Sequence, residues 1–306
     1  MIPFSGSPLD RASDKRTDNA WIESKRRDPS SLILPLWRLD LFLRGAQGAA
    51  DPSLGLVAPQ LIEGLADPQA PWVFLGLDGE RALFALDISA AQEPSQQGPL
   101  AGLGHFRDAR SAAQLVSAGE AAIIAQAKAM IEWHQRHGFC PRCGAPTTLM
   151  DAGYRRLCGK CESEHFPRVD PVVIMLAIEG NACLVGRNLR FATNRFSALA
   201  GFMEPGETIE EAVRRELMEE ASLRVGEVSY YATQPWPFPS TLMIGCFAKA
   251  LSREVKPDGK ELGELRWLER ELARDLIAGK RTDGIGLPAP VAIAHHLIRA
   301  WAFGEQ

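Results

Sequence analysis

The positions of apolar residues predict strands in the first third of the chain, followed by a helical segment. Residues 32–43 are apolar enough for strand structure, and the apolar runs 72–77 and 81–86 flank Asp78-Gly79. This dipeptide supplies the positive φ that a two-residue hairpin turn needs, so the two runs are predicted to pair. Residues 90–104, rich in Gln, Pro and Gly, predict a loop, and the proline-free residues 109–137 predict one or two helices.

After residue 170 the pattern changes to short apolar strands. Residues 172–178 and 182–185 are separated by Glu179-Gly180-Asn181, which predicts a hairpin connection. Further predicted strands are 228–232, 242–250 and 265–268, and a last helix is predicted over 290–302. Taken together, the predicted strands and helices indicate an α+β protein.

One segment has a strong helical pattern and carries acidic residues on its apolar side. Thr208 and Glu211 match a capping box, so a helix is predicted over residues 209–221. At 100° per residue, one apolar face contains Ile209, Ala212, Val213 and Leu217. Glu216 and Glu220 fall inside the same arc, and Glu219 lies at its margin. Glu210, Glu211 and Arg214 lie on the opposite, solvated side.

Carboxylates on an inward face repel one another and lose hydration unless a cation compensates them. Carboxylate oxygens are hard ligands that suit Mg²⁺ or Mn²⁺, and Mg²⁺ usually completes its coordination with water and phosphate oxygens. The helix therefore predicts a divalent metal site for a phosphate-bearing substrate.

Four of the six cysteines form two CxxC pairs. Cys140 and Cys143 are followed, after fourteen residues, by Cys158 and Cys161. This spacing is typical of a zinc ribbon in which four thiolates close the tetrahedron around one structural Zn²⁺. Unrelated free cysteines, or a redox pair, are the alternatives. The other two cysteines lie inside apolar runs, which favours a reducing cytoplasm over disulfide chemistry.

Length and composition are those of an ordinary globular protein. The 306 residues predict about two domains, and 46% apolar with 24% charged residues differs from the composition of disordered chains. A formal charge of −4 provides no global attraction to nucleic acid or anionic lipid. No apolar run approaches the roughly 20 residues of a membrane span, and the charged first thirty residues do not resemble a secretory signal.

The predicted domain organisation has four parts. Residues 1–30 are expected to be a loose tail, 31–137 an α+β domain, 138–168 the zinc ribbon and 169–306 the catalytic domain.

The acidic helix and the segment before it resemble the signature of the Nudix hydrolase family. The match begins at Gly201, continues through Glu207 and Arg215-Glu216, and includes Glu219 and Glu220. One position departs from the signature, because Ser222 stands where the family has glycine. The resemblance implies an α/β/α sandwich with a mixed sheet for the C-terminal domain. We expect Glu207 and Arg215 to form an ion pair that braces the loop against the helix.

A second motif narrows the resemblance to the NADH pyrophosphatase branch of that family. Residues 233–241 resemble its SQPWPFPxS motif with threonine at both ends, and the zinc ribbon precedes the signature in the order typical of this branch. Proline stiffens this loop, and its aromatic rings are suited to stacking on a base. The candidate substrate-binding residues of the loop are Gln234, Pro235, Trp236, Pro237, Phe238, Pro239, Ser240 and Thr241.

The resemblance covers roughly residues 105–300 and implies further site residues. Metal would be held by Glu216, Glu220, Glu261 and the backbone carbonyl of Ala200, and Glu219 is the candidate base. Phe202 also lies at the entrance of the signature. Other substrate contacts map onto Phe166, where the branch usually has tyrosine, and onto Ala294 and Arg110.

The implied reaction is metal-dependent hydrolysis of NADH or NAD⁺ at the pyrophosphate, giving nicotinamide mononucleotide and AMP. Similar enzymes remove NAD caps from RNA 5′ ends, and the resemblance also implies a homodimer. The sequence leaves two alternatives open. The first is a pyrophosphatase for ADP-ribose or dinucleoside polyphosphates. The second is a non-catalytic interaction protein that uses the ribbon and an inactive domain to sense a ligand.

Overall fold

The computed structural model describes residues 2–48, 50–62, 64–190, 192–280 and 284–305. The chain divides into two compact units. The first unit contains residues 3–168 together with 236–240, and the second contains residue 2 with 169–235 and 241–306.

The first unit is built on a six-stranded sheet with three α-helices. Its strands are β1 (Leu32–Trp37), β2 (Asp40–Arg44), β3 (Ser53–Leu54), β4 (Trp72–Asp78), β5 (Arg81–Asp87) and β6 (Gly104–Arg107). Its helices are α1 (Asn19–Arg27), α2 (Ala109–Ala112) and α3 (Ala118–Arg136). The sheet order is β3-β2-β1-β5-β4, with β6 paired to β2. The predicted hairpin is confirmed, because β4 and β5 are antiparallel, but Asp78 is paired with Arg81 and the two turn residues are Gly79, at φ +59°, and Glu80.

The expectation that residues 1–30 form a loose tail is wrong. Helix α1 begins after Asp18, whose side chain accepts a hydrogen bond from the backbone N–H of Trp21. Phe4 is 2% exposed, and Ile22 is also buried. Polar residues dominate this segment, but Phe4, Leu9, Ala12 and Ile22 are spaced so that their side chains are buried in the unit. Burial of those side chains offsets the entropy of ordering the chain.

The zinc ribbon forms a small antiparallel sheet within the first unit. Its strands are β7 (Thr147–Met150), β8 (Arg155–Cys158) and β9 (Glu164–His165). Helix α3 is tied to the ribbon by His134, whose Nε2 donates to the carbonyl of Gly153 while Nδ1 accepts from Arg156, both at 2.9 Å. Burial lowers the pKa of His134 to about 4. The ring is therefore neutral at physiological pH, as its acceptor role requires.

The second unit is a mixed sheet with helices on both faces. Its strands are β10 (Asp170–Glu179), β11 (Ala182–Asn188), β12 (Leu199–Phe202), β13 (Val225–Trp236), β14 (Thr241–Ala250) and β15 (Leu262–Glu269). Its helices are α4 (Ile209–Ala221), α5 (Arg270–Ile277) and α6 (Ile293–Phe303). Strand β10 is parallel to β14 and antiparallel to β11 and β12. The order is β13-β14-β10-β11-β15, with β12 paired to β10.

Alternate side chains of β10 face the two helical layers. Val173 and Met175 pack in the core beneath α4, whereas Ile174 and Leu176 pack in the core that contains α6 residues. This arrangement is the α/β/α sandwich expected for the C-terminal domain, and the α+β class is confirmed. Helix α4 has the bounds that its capping box and apolar spacing predict. In the part of the chain that the structure describes, no helix has the length and apolar character to cross a membrane.

Helix α4 ends in a left-handed residue. Ser222 has φ +53° and ψ 28°, and the N–H of Leu223 donates back to the carbonyl of Leu217 at 3.0 Å, which satisfies a carbonyl of the last helical turn. A serine in this conformation carries a steric cost that glycine avoids.

Ser222→Gly is expected to stabilise the second unit by about 1 kcal/mol, because it removes that steric cost at an exposed position. The corresponding rise in melting temperature is about 2–4 °C by calorimetry. Ser222→Ala is the control and should give no rise, since alanine keeps the Cβ. A rise of equal size in both variants would contradict the conformational explanation.

Candidate active site

Of the three carboxylates of α4 that were predicted to lie at the site, two are buried and one is exposed. Glu216 is 9% exposed and Glu220 is 7% exposed, whereas the side chain of Glu219 is 59% exposed. This difference follows from helical periodicity, because Glu216 and Glu220 are one turn apart on the side that carries the apolar residues.

Gly201 of β12 gives Glu216 the space that its carboxylate occupies. A Cβ built on Gly201 would lie 1.9 Å from Cδ of Glu216 and 2.0 Å from its Oε1. Both distances are far below van der Waals contact. Any residue larger than glycine at position 201 would therefore displace the Glu216 carboxylate.

Arg215 holds the loop before α4 against the helix. Its Nε and Nη2 donate to the two carboxylate oxygens of Glu207, at 2.5 and 2.9 Å. Nη1 donates to Glu216 at 2.8 Å and to Glu219 at 3.0 Å, and Nη2 also donates to the carbonyl of Phe202. The hydrogen bonds from Arg215 lower the pKa of Glu207 to about 2. This bidentate pair is the contact expected for Glu207 and Arg215.

A turn after β14 brings a fourth glutamate to the helix. The N–H of Asp258 donates to the carbonyl of Glu220 at 3.1 Å, which docks the turn on the end of α4. The Asp258 carboxylate accepts from the N–H groups of Glu261 and Leu262. Asp258 is not among the residues predicted for the site, although the Asp258-Gly259 dipeptide is a turn signal that precedes Glu261.

The four glutamates and Asp258 line one cleft. Its lining residues are Glu216, Glu219, Glu220, Asp258, Lys260 and Glu261. An adjoining cleft of about 370 Å³ shares Glu216 and Glu261 and is also lined by Ala200, Phe202 and Arg215. The structure thus brings together the residues predicted to hold metal, and Phe202, 62% exposed, lies beside them.

The electrostatics of the cleft fit a divalent cation. Burial, followed by the charges of Glu216, Glu261 and Asp258, raises the pKa of Glu220 to about 8. Burial also raises the pKa of Glu216. Oε2 of Glu220 is buried and has no hydrogen-bond partner among the described residues. Repelling carboxylates with an unsatisfied buried oxygen form a hard donor set that a divalent cation would satisfy.

The predicted loop over residues 233–241 is only partly a loop. Residues 233–236 form the end of β13, residues 237–240 form a turn, and Thr241 begins β14. Pro237 is buried and Pro239 is exposed, and the rings of Trp236 and Phe238 are half-buried in the first unit. The side chain of Gln234 is fully buried in the second unit, donating to the carbonyl of Val291 and accepting from the N–H of Ile293.

The other predicted substrate contacts lie in different surroundings. Phe166 is 60% exposed and Arg110 is exposed, both in the first unit. Ala294 is 3% exposed in the core that contains α6, and Thr241 is buried at the start of β14. These substrate contacts stay predictions, and the side chains of Gln234 and Ala294 are already surrounded by protein.

The four ribbon cysteines converge on one point. Their sulfur atoms all lie within 4.8 Å of one another. Cys140 and Cys161 are 3.6 Å apart at Sγ, and Cys143 and Cys158 are 3.5 Å apart. A four-thiolate set of this size fits structural zinc.

Cys158→Ser is expected to lose the ribbon's zinc and to lower the melting temperature and soluble yield. Zinc binding in such peptides supplies about 10–16 kcal/mol, which is comparable to the whole stability of a domain. Elemental analysis should find one zinc per chain in the parent protein and in Glu220→Gln, the control, whose substitution lies outside the ribbon. Zinc-free parent protein, purified without chelator, would contradict the assignment.

Family models match three consecutive parts of the chain. The "NADH pyrophosphatase-like rudimentary NUDIX domain" matches residues 30–133, the "NADH pyrophosphatase zinc ribbon domain" matches 135–166, and the "NUDIX domain" matches 167–284.

Known proteins resemble this chain over most of its length. Human NAD-capped RNA hydrolase NUDT12 is 38% identical, over 97% of this chain and 72% of that protein. Human mitochondrial NAD(P)H pyrophosphatase NUDT13 is 34% identical, over 80% of this chain and 72% of that protein. NAD-capped RNA hydrolase NudC of Chromobacterium violaceum is 33% identical, over 74% of this chain and 78% of that protein. With the signature carboxylates and the four-cysteine ribbon in place, this chain belongs to the Nudix hydrolase family, in the branch that carries the NADH pyrophosphatase zinc ribbon.

Proposed function

We propose that this protein hydrolyses the pyrophosphate bond of NADH and NAD⁺, giving nicotinamide mononucleotide and AMP. The buried carboxylates of Glu216 and Glu220, set beside Glu261 in an open cleft, are the observation that carries the proposal. Their donor set is suited to a divalent cation, and the cleft is open to a phosphate-bearing substrate. The similar proteins are named for hydrolysis of NAD caps and of NAD(P)H, which supports the dinucleotide as that substrate.

The residues of the cleft have separate tasks in the proposed reaction. Glu216, Glu220, Glu261 and the carbonyl of Ala200 would hold Mg²⁺ or Mn²⁺. Such cations, when bound, stabilise the charge on the pyrophosphate oxygens. Arg215 fixes the carboxylates of Glu216 and Glu219 through direct hydrogen bonds.

Water attacks one phosphorus in the proposed reaction, and the bond from that phosphorus to the bridging oxygen breaks. Glu219 is the candidate base, since its carboxylate is exposed and lines the cleft. It would take the proton of the water as the new P–O bond forms. The two phosphate products leave as nicotinamide mononucleotide and AMP.

NAD-capped RNA is a second candidate substrate. Two of the similar proteins are named as hydrolases of this cap. The same phosphoanhydride bond would break, leaving the RNA with a 5′-phosphate. A pyrophosphatase for ADP-ribose or dinucleoside polyphosphates would use the same carboxylates, and the loop at 233–241 argues against that alternative.

Product analysis tests the proposed function. The purified protein would receive NADH, NAD⁺, ADP-ribose or NAD-capped RNA at matched concentrations with Mg²⁺ or Mn²⁺, and products would be separated by chromatography. Glu220→Gln prepared in parallel reports contaminating hydrolases. We expect AMP and nicotinamide mononucleotide from NAD⁺, and AMP and the reduced mononucleotide from NADH. A preference for ADP-ribose, or turnover that Glu220→Gln retains, would overturn the proposal.

We also propose a homodimer located in the cytoplasm. The free cysteines favour a reducing compartment. In the proposed dimer, the exposed ring of Phe166, which follows the ribbon, contributes to the site that binds the substrate's base in the second copy. Sedimentation at decreasing concentration tests the dimer, since activity and dimer content should fall together. A fully active monomer would contradict it.

A further inference from the structure

The rings of the substrate loop are held by charged and aromatic side chains of the first unit. Phe4 contacts Trp236 and Phe238 edge-on, with centroids 5.8 and 6.1 Å away, and those two rings are 5.2 Å apart. The guanidinium of Arg110 lies 5.1 Å from the Trp236 ring and 4.9 Å from the Phe238 ring. Nζ of Lys128 lies 4.9 Å from the Phe238 ring. We call these five residues the aromatic anchor.

Lys128 is the unusual member of the anchor because its ammonium group is buried. Its side chain is 10% exposed, and Nζ donates to Glu132 at 2.5 Å. Glu132 is also buried and pairs with Arg136 on the same helix. A buried ion pair loses hydration and is often no more stabilising than apolar residues of the same size. Its presence therefore calls for a role beyond stability.

The neighbouring polar side chains of α3 have partners elsewhere in the first unit. Gln126 donates to the carbonyl of Leu75, and His134 contacts Gly153 and Arg156. Lys128 differs because its ion pair lies within α3, whereas outside the helix its ammonium group lies 4.9 Å from the Phe238 ring. A cation near an aromatic face is attracted by the ring quadrupole, most strongly where water is excluded.

We propose that Lys128, fixed by Glu132, is a positioning residue that holds the substrate loop through Phe238 and so determines affinity for the nicotinamide dinucleotide. This inference rests on the proposed function. Phe4 and Arg110 also contact the rings of Trp236 and Phe238. In this proposal the two rings position the polar residues of the loop and do not themselves stack on the base. The role also assigns a task to the first unit, which lacks the signature carboxylates.

Lys128→Met tests the proposal because it keeps an unbranched side chain and removes the charge. KM for NADH is expected to rise about three- to tenfold, the magnitude of one cation–aromatic contact, with kcat within about twofold. Lys128→Arg should restore KM. Arg26→Met is the matched control, since Arg26 lies 4.4 Å from the ring of Trp72, which packs against the core of the first unit's sheet. Equal KM for NADH in the parent and Lys128→Met would overturn the proposal.

A second variant and a spectroscopic measurement keep the test independent of folding and of activity. Lys128→Met with Glu132→Gln removes the carboxylate charge that the single variant leaves buried, and should give the same KM change if the single variant is unstable.

In 5-fluorotryptophan-labelled protein, the ¹⁹F resonance assigned by Trp236→Phe should move in Lys128→Met and not in Arg26→Met. A shift in protein whose parent does not hydrolyse NADH would support the anchor and reject the proposed function. An unmoved resonance would overturn the anchor.

Discussion

Glu220→Gln is expected to lower kcat for NADH hydrolysis by at least ~10²-fold while leaving the fold and the zinc in place. The substitution removes one metal-holding charge at nearly constant volume, and loss of a major electrostatic stabiliser of the transition state has effects of this size. Steady-state kinetics with saturating Mg²⁺ or Mn²⁺ would measure the loss. Glu216→Gln should act likewise.

The stability of Glu220→Gln separates this explanation from a folding defect. In the metal-free protein the negative charge of Glu220 is opposed by burial and by the like charges of Glu216, Glu261, Asp258 and Glu219. Removing a charge from such a place should leave the melting temperature unchanged or raise it. Parent-like turnover in the variant would reject the metal site, and a large drop in melting temperature would reject the electrostatic account.

Glu211→Gln is a matched control on the same helix. Glu211 is exposed at the first turn of α4, where its carboxylate accepts from the N–H of Thr208. A glutamine there keeps an acceptor for this capping interaction. Turnover should therefore remain within about twofold of the parent, since the substitution lies outside the cleft.

The sequence predicts helix α4 and its acidic face well because several local signals agree. The capping box fixes the start, and the apolar spacing fixes the face. The left-handed end falls at Ser222, the position where the signature has glycine. The same agreement predicts the zinc ribbon, whose cysteine spacing nearly determines its geometry.

Long-range packing explains what the sequence did not predict. The first thirty residues are polar on average, and burial of Phe4 depends on rings more than 200 positions away. Likewise, Asp258 reaches the cleft through a backbone contact with Glu220, which no local pattern reveals. Composition describes a segment's average, whereas a few side chains decide whether it packs.

For residues 233–241 as well, the motif alone does not predict which distant residues contact its side chains. Its prolines and aromatic rings predict a rigid loop with stacking surfaces. In the structure, cations of the first unit lie close to the rings of Trp236 and Phe238. Motif resemblance identifies the segment, but the neighbours that determine what each ring does come from elsewhere in the chain.

Gly201→Ala is expected to reduce kcat/KM for NADH by about a hundredfold in a folded protein. The added Cβ would lie 1.9 Å from Cδ of Glu216, so the carboxylate would have to move by more than about 1 Å to restore normal contact. A displacement of this size at a reacting centre has effects of about 10²-fold. The clash involves the end of a flexible side chain and not backbone, so the sheet pairing of β12 should survive.

Two further variants test whether Gly201 acts through Glu216. Gly226→Ala adds the same methyl group elsewhere in the second unit, where the nearest atom would be 3.4 Å away, and should remain active. If the methyl group acts by displacing the carboxylate, the double variant Gly201→Ala with Glu216→Gln should lose little more activity than Glu216→Gln, since residues that act as a unit give non-additive effects. Additive losses would show that Gly201 has a separate task, such as direct contact between its backbone and the substrate, and unfolding of Gly201→Ala would show that the close approach supports the fold.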